Sequence, residues 1–246
     1  MRILIGCARS GIMARAFRAL GWEAWECDIE PSRDVEGSNW HIQGDVLKVA
    51  RQMPLDAFFA HPPCTYLSVS GLHWNKRGAR VNGRPRAELT GEAFEFFMAC
   101  WEIVRQVGRG GLENPIGCMS TMWRKPDQIV QPWQFGDDAS KATCLWLHNV
   151  APLDARPDLH VAPRYVNGKP RWANQTDSGQ NKLAPSADRA EKRSQTYPGI
   201  AHALATAITL STGGGVGEDR RLGGGLWSVP RGELAGMARS GNRDGA

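Results

Sequence analysis

The run Leu55-Asp56-Ala57-Phe58-Phe59-Ala60, followed at once by His61-Pro62-Pro63-Cys64, constrains this chain more than any other stretch. A short apolar run rich in aromatics has the length of a buried strand, and two prolines cannot extend its ladder. The strand therefore stops there and hands Cys64 to a loop at its carboxyl end. In open α/β sheets ligands bind at that edge, which makes Cys64 a candidate nucleophile. The alternative is a small buried thiol beside a turn.

The flanking chain predicts more of the same architecture. Ile3 to Ile5 read as a first strand and Gly6-Cys7-Ala8-Arg9-Ser10-Gly11 as a small-residue turn. Ile12, Met13, Ala16, Phe17 and Leu20 then line one helical face, closed by Gly21. Strand, tight turn and helix open a nucleotide-binding βαβ unit. A second strand at 24–27 ends in Asp28, spaced from the turn like an acidic residue that binds ribose hydroxyls; an ordinary cap is the other reading. His41 to Leu47 predict a third strand carrying Asp45. Between Thr65 and Ala87 stand Lys76, Arg77, Arg80, Arg84 and Arg86 with no acid, interleaved with His73, Trp74 and glycines. That segment reads either as a loop closing over a phosphate backbone or as a solvated surface.

A helix is predicted over 93–107, then a fifth strand, Gly110–Pro115, that delivers Glu113 and Asn114 to the carboxyl edge. Lys141 to Leu147 alternate like a strand, residues 149–186 show little periodicity, and Ile200, Ala203, Leu204 and Ile208 mark a closing helix. No internal repeat is evident. The expected organisation is one α/β domain over 1–211 with a mixed, mostly parallel sheet and helices on both faces, then a flexible Gly-rich tail over 212–246.

Composition narrows the partners. There are 30 Lys+Arg against 25 Asp+Glu, a net charge of +5 that modestly favours a polyanion. Six cysteines form no CxxC pair, as expected of reduced thiols in a cytoplasmic protein. Met1 to Gly6 are too short for a signal segment, and no run reaches the roughly 18 apolar residues of a membrane span.

Pro62-Pro63-Cys64-x-x-x-Ser68-x-x-Gly71 together with Glu113-Asn114-Pro115 resembles the DNA (cytosine-5) methyltransferases, most closely the compact forms of bacteriophages and prophages. The order of the pieces agrees over residues 1 to about 150 and 180–209. The resemblance implies a Rossmann-like class I fold that uses S-adenosylmethionine and acts on cytosine C5 in DNA. It implies Cys64 as nucleophile and Glu113 as the group on cytosine N3, with Lys141 standing in for one arginine of the family's late basic motif. It assigns the donor pocket to Gly6, Cys7, Ala8, Arg9, Ser10, Gly11, Asp28, Ile29, Asp45, Val46, Pro62, Tyr197 and Gly199. DNA contacts fall to Ser68, Lys76, Arg77, Arg80, Arg84, Arg86, Arg164, Lys169 and Arg171. No metal is implied.

The chemistry explains why these groups are needed. A thiolate adding at C6 turns cytosine into an enamine nucleophilic at C5. Cys64 then requires activation by nearby cations, and Glu113 requires a carboxyl pKa raised by burial to stay protonated. The target base must leave the stack, with segment 65–87 closing behind it. Only about 40 residues, the segment at about 149–186, are available for target recognition, which predicts short or relaxed sequence specificity. The first turn departs from the family by carrying Arg9. If Arg9 faces the donor it could pair with an extra carboxylate, making carboxy-S-adenosylmethionine an alternative donor; otherwise it faces solvent or a phosphate. Other readings are a non-catalytic DNA-binding relative and an enzyme acting on free pyrimidine nucleotides. A zinc deaminase, suggested by His61-x-x-Cys64, lacks the His-x-Glu and Pro-Cys-x-x-Cys signature.

Overall fold

Alternation along the strands decides how the layers stack. In β1 (Arg2–Gly6) Ile3 and Ile5 face one side of the sheet and Leu4 the other, and all three are fully buried. A strand apolar on both faces needs cover on both. The computed structural model, which describes residues 1–34, 37–184, 186, 193 and 195–213, provides it. On one face α1 (Ile12–Ala19) and the last helix, α6 (Pro198–Leu210), pack on Ile3, Ile5, Ala24, Ala57, Phe59 and Leu145. On the other, α2 (Val46–Gln52) and α4 (Arg86–Val107) cover Leu4, Trp25, Cys27, Phe58, Leu112 and Trp146.

The sheet has seven strands. Besides β1 these are β2 (Glu23–Asp28), β3 (His41–Gln43), β4 (Ala57–Ala60), β7 (Gly110–Pro115), β8 (Gln128–Val130) and β9 (Thr143–His148), in the order β3-β2-β1-β4-β7-β9-β8. The pairs from β3 across to β7 are parallel, and β9 runs antiparallel to both neighbours. Because β9 is reversed, its start lies at the edge where the parallel strands end, with Thr143 opposite Pro115 and Leu145 opposite Glu113. The expected α/β class with a mixed, mostly parallel sheet is therefore observed. Among the described residues no helix is long and apolar enough to cross a membrane.

Four local expectations are corrected. The third strand stops at Gln43 because Asp45 caps α2, its Oδ1 accepting the Leu47 N–H at 2.9 Å; Val46 and Leu47 are helical. Segment 65–87 is not an open loop: it holds α3 (Val69–Lys76) and a hairpin of β5 (Arg80–Val81) and β6 (Arg84–Pro85). The aperiodic segment 149–186 contains a second hairpin, β10 (Arg164–Val166) and β11 (Lys169–Arg171). Hairpins this short depend on turn residues rather than on apolar period, which is why periodicity misses them. In α1, Leu20 is 40% exposed at the C-cap rather than part of the apolar face. Of the Gly-rich tail, residues 214–246 lie outside the described part.

Candidate functional site

The Cys64 loop is held by its own turn and by two neighbours. The Cys64 carbonyl accepts the N–H groups of Leu67 and Ser68, both at 3.0 Å. Arg86 is buried at the start of α4 and donates from Nε to the Gly71 carbonyl at 3.1 Å and from its terminal nitrogen to the Thr65 carbonyl at 2.9 Å. A Cβ at Gly71 would lie 2.0 Å from that guanidinium, so a side chain there would push the Arg86 brace aside. On the other side, Cys118 N–H bonds the Leu67 carbonyl at 2.8 Å and Val69 N–H the Ile116 carbonyl at 3.1 Å. The chain leaving β7 is thereby zipped to the cysteine loop.

β7 brings the second group. Glu113 is buried, and its Oε2 lies 2.6 Å from His61 Nδ1. Asn114 Nδ2 donates to the Pro62 carbonyl at 2.7 Å, so adjacent residues of β7 hold adjacent residues of the His61-Pro62 turn. Burial pushes the Glu113 carboxyl up, but the His61 hydrogen bond and charge, with Lys141 behind them, hold it below the ordinary glutamate value. This corrects the expectation of a carboxyl raised by burial: in the free protein Glu113 is a paired carboxylate. Burial and the Glu113 charge raise the Cys64 thiol, and Lys141 and Arg193 only partly offset them. The expected cationic activation is outweighed in the free protein.

Lys141 lies just before the reversed β9. Its N–H is fixed by Gln131 Oε1 at 2.8 Å, and its Nζ donates to the Gln195 carbonyl at 3.0 Å. Cys64, Glu113 and Lys141, which lie far apart in sequence, converge electrostatically at one edge.

The turn after β1 lies at the same edge. Cys7 has φ 54° and Gly11 φ 74°, and the Gly11 N–H is bound at 2.8 Å by Oε2 of Glu26, a carboxylate buried on β2. Burial raises the Glu26 carboxyl despite that bond. Ala8 bonds back to the Cys27 carbonyl, and Ser10 Oγ accepts the Ile12 N–H at 3.4 Å. A Cβ at Gly6 would meet Val46 Cγ2 at 2.5 Å. Arg9 pairs with Glu30. Asp28 ends β2 with Oδ1 on the Glu30 N–H, and Ile29 beside it is 76% exposed. At the start of α6, Tyr197 is the N-cap and its hydroxyl lies 3.4 Å from Asn174 Nδ2. Gly199 N–H bonds Asp137 Oδ2 at 2.9 Å, and a Cβ there would sit 2.0 Å from the Phe135 carbonyl. Asp45 and Gly199 thus have structural duties of their own.

The cations assigned to DNA divide. Arg86 is a buried brace, a correction to its reading as a phosphate contact. Arg84 pairs with Glu88 and Glu92, acids of α4 that lie just past the acid-free segment. Arg77 lies over Trp74 and Arg80 bonds its own turn at the Gly83 carbonyl. Arg164 pairs with Asp177, and Arg171 donates to the Asp177 carbonyl. Lys169 is exposed, and Ser68 is the N-cap of α3. Lys76 ends α3, with its side chain outside the described part.

Sequence reasoning passed over His61, Asn114, Glu26 and Arg193 as site residues. His61 stood in plain view at the strand end, and the signal for its role was an imidazole beside a Glu-Asn strand end. Glu26 could be found only by parity, since it shares a face with buried Ala24. Among the described residues no group of three or more His, Cys, Asp or Glu could hold a metal ion. No protein-family model matches the chain, and no curated protein matches it in sequence.

Proposed function

We propose that this chain is a DNA cytosine C5 methyltransferase of the Rossmann-like class I type, acting through Cys64. The observation that carries the reading is the clamp between the Cys64 loop and β7. Asn114 on the Pro62 carbonyl and Glu113 on His61 set a thiol and a carboxyl side by side at the carboxyl edge of a largely parallel sheet. The order β3-β2-β1-β4-β7 follows the doubly wound pattern in which ligands bind at that edge.

The residues fit S-adenosylmethionine as donor. The Gly6–Gly11 turn leaves backbone close to the edge, Asp28 stands where ribose hydroxyls are bound, and Ile29 offers an exposed apolar face for a base. Glu26 Oε1 and His61 Nε2 are buried without a partner beneath this turn, as polar atoms that meet a ligand would be. When bound, the donor supplies an electrophilic methyl group. Everything else falls to the chain. Cys64 Sγ, once deprotonated, bonds to cytosine C6 and pushes electron density to C5; loss of the C5 proton later expels the thiolate. Glu113 faces N3, and once its carboxylate takes up a proton it donates a hydrogen bond to the base, with His61 as its neighbour on Oε2. Lys141 offsets the negative charge of Glu113 beside Cys64.

Arg9 is already matched by Glu30, so the plain donor is preferred over its carboxylated form. One observation favours a second reading, a DNA-binding protein without catalysis: the raised Cys64 thiol beside an ionised Glu113. Mass spectrometry of nucleosides separates them. DNA incubated with the protein and S-adenosylmethionine gains 5-methylcytosine if the proposal holds, and Cys64→Ala abolishes the gain. Unmodified DNA from the intact protein sinks it.

A further inference from the structure

Two stretches of this chain spell nearly the same words. Val81-Asn82-Gly83-Arg84-Pro85-Arg86 and Val166-Asn167-Gly168-Lys169-Pro170-Arg171 differ only at Arg84 against Lys169, a repeat too short to register as domain duplication. They also fold alike. β5 and β6 pair Arg80 with Pro85 and Val81 with Arg84, while β10 and β11 pair Tyr165 with Pro170 and Val166 with Lys169. The tips have φ 48° at Asn82 and 78° at Gly83, then 50° at Asn167 and 71° at Gly168. Positive φ at both central residues is the type I′ turn that Asn-Gly favours. Proline in the return strand removes a ladder donor, which suits these hairpins poorly to recruiting another strand.

The last arginine of each copy braces the hairpin. Arg86 holds the carbonyls of Thr65 and Gly71, and Arg171 holds the Asp177 carbonyl at 3.1 Å. The hairpins are set beside Cys64 and Lys141. The first is tied to Thr65, next to Cys64. The second runs into Asn174, whose side chain accepts the Ser140 N–H at 2.9 Å and donates to the Ser140 carbonyl at 3.0 Å, next to Lys141.

Residues directly opposite on a hairpin share a face. Half-buried Val81 and Val166 therefore share a face with Arg84 and Lys169, whose longer side chains are exposed, and Arg80 with Pro85 and Tyr165 with Pro170 form the exposed opposite faces. Tyr165 is 71% exposed. Arg84 shares its charge with exposed Glu88 and Glu92, pairs of little worth that a phosphate could displace. Lys169 makes no ion pair among the described residues.

We propose that the two hairpins are matched fingers that grip duplex DNA on either side of the base offered to Cys64. Arg80 and Lys169 take phosphates, and Tyr165 stacks on a base next to the vacated position. The assignment rests on the reading of the Cys64 site as a DNA site. A two-stranded ribbon is also narrow enough to enter the major groove.

Fluorescence anisotropy of a labelled duplex across a salt series tests it without requiring turnover. Arg80→Ala and Lys169→Ala should each weaken binding several-fold and lower the salt slope by about 1. Tyr165→Ala should weaken binding about tenfold or more and leave the slope unchanged. Arg105→Ala, at the far end of α4, should do nothing, and thermal melts of all variants should match the intact chain. Wild-type affinity and slope in the hairpin variants would overturn the proposal, as would absence of duplex binding or a preference for duplex RNA through the same residues. Hairpin-dependent binding without any modified cytosine keeps the fingers and removes methyl transfer. Methylation unaffected by the hairpin variants does the reverse.

Discussion

His61 Nδ1 lies 2.6 Å from Glu113 Oε2, so the residue that follows β4 and the carboxylate of β7 form one hydrogen-bonded pair. The pair reverses what burial alone would do to Glu113. A carboxyl whose folded pKa is lowered contributes stability above its unfolded pKa of about 4.3, and that contribution is lost as pH falls through the folded value. His61→Asn removes the partner and leaves burial in command, so the Glu113 pKa should move up and the sign should reverse. At pH near 7 the variant should be less stable by about 1–3 kcal/mol, a deficit that narrows towards acid. Thermal melts at pH 4–8 check this; parallel curves for variant and intact chain would refute it.

Cys64 offers an independent check on the same electrostatics. The Glu113 charge raises its thiol and the Lys141 charge lowers it. Glu113→Gln should therefore speed alkylation of Cys64 by iodoacetamide near pH 7 several-fold, and Lys141→Met should slow it. Peptide mapping separates Cys64 from the buried Cys27, Cys100, Cys118 and Cys144. Equal rates in all three proteins would mean that these groups do not share a site.

Glu26 is a buried carboxyl raised by desolvation, although Gly11 bonds it. A raised folded pKa costs stability as pH rises past the unfolded value, because the unfolded chain ionises first. Glu26→Gln keeps an acceptor for the Gly11 N–H and removes the buried charge. Its melting temperature should exceed that of the intact chain at pH 7, and the gain should fade towards pH 4. A lower melting temperature at both pH values would show that the charge itself is needed.

Gly199 separates packing from ligand binding. A methyl group there would lie 2.0 Å from the Phe135 carbonyl, so Gly199→Ala should cost about 1–3 kcal/mol in denaturant unfolding without any donor present. Unchanged stability would return Gly199 to the donor pocket alone.

The apolar pattern made the layers legible. Ile3 to Ile5, Ala57 to Ala60 and the face of α6 are dictated by burial, and burial leaves a period in the sequence. Polar geometry leaves none. Asp45 could serve a ribose or a helix cap, and only the Leu47 N–H decides that it caps. The charges near Cys64 are legible by sign but not by partner. Nothing in the order of residues says that Arg84 turns to Glu88 and Glu92, or that Arg86 is buried against Thr65. The direction of the Glu113 shift leaves no mark in the sequence because the residue that controls it, His61, follows another strand.

Covalent trapping tests the central claim most directly. A duplex with 5-fluorocytosine in place of cytosine has no C5 proton to lose, so a Cys64–C6 adduct formed with S-adenosylmethionine present cannot resolve. The account predicts a protein–DNA complex that survives denaturing electrophoresis, whose cross-linked peptide contains Cys64, and which Cys64→Ala fails to form. No complex with the intact chain, or an equal one with Cys64→Ala, would contradict it.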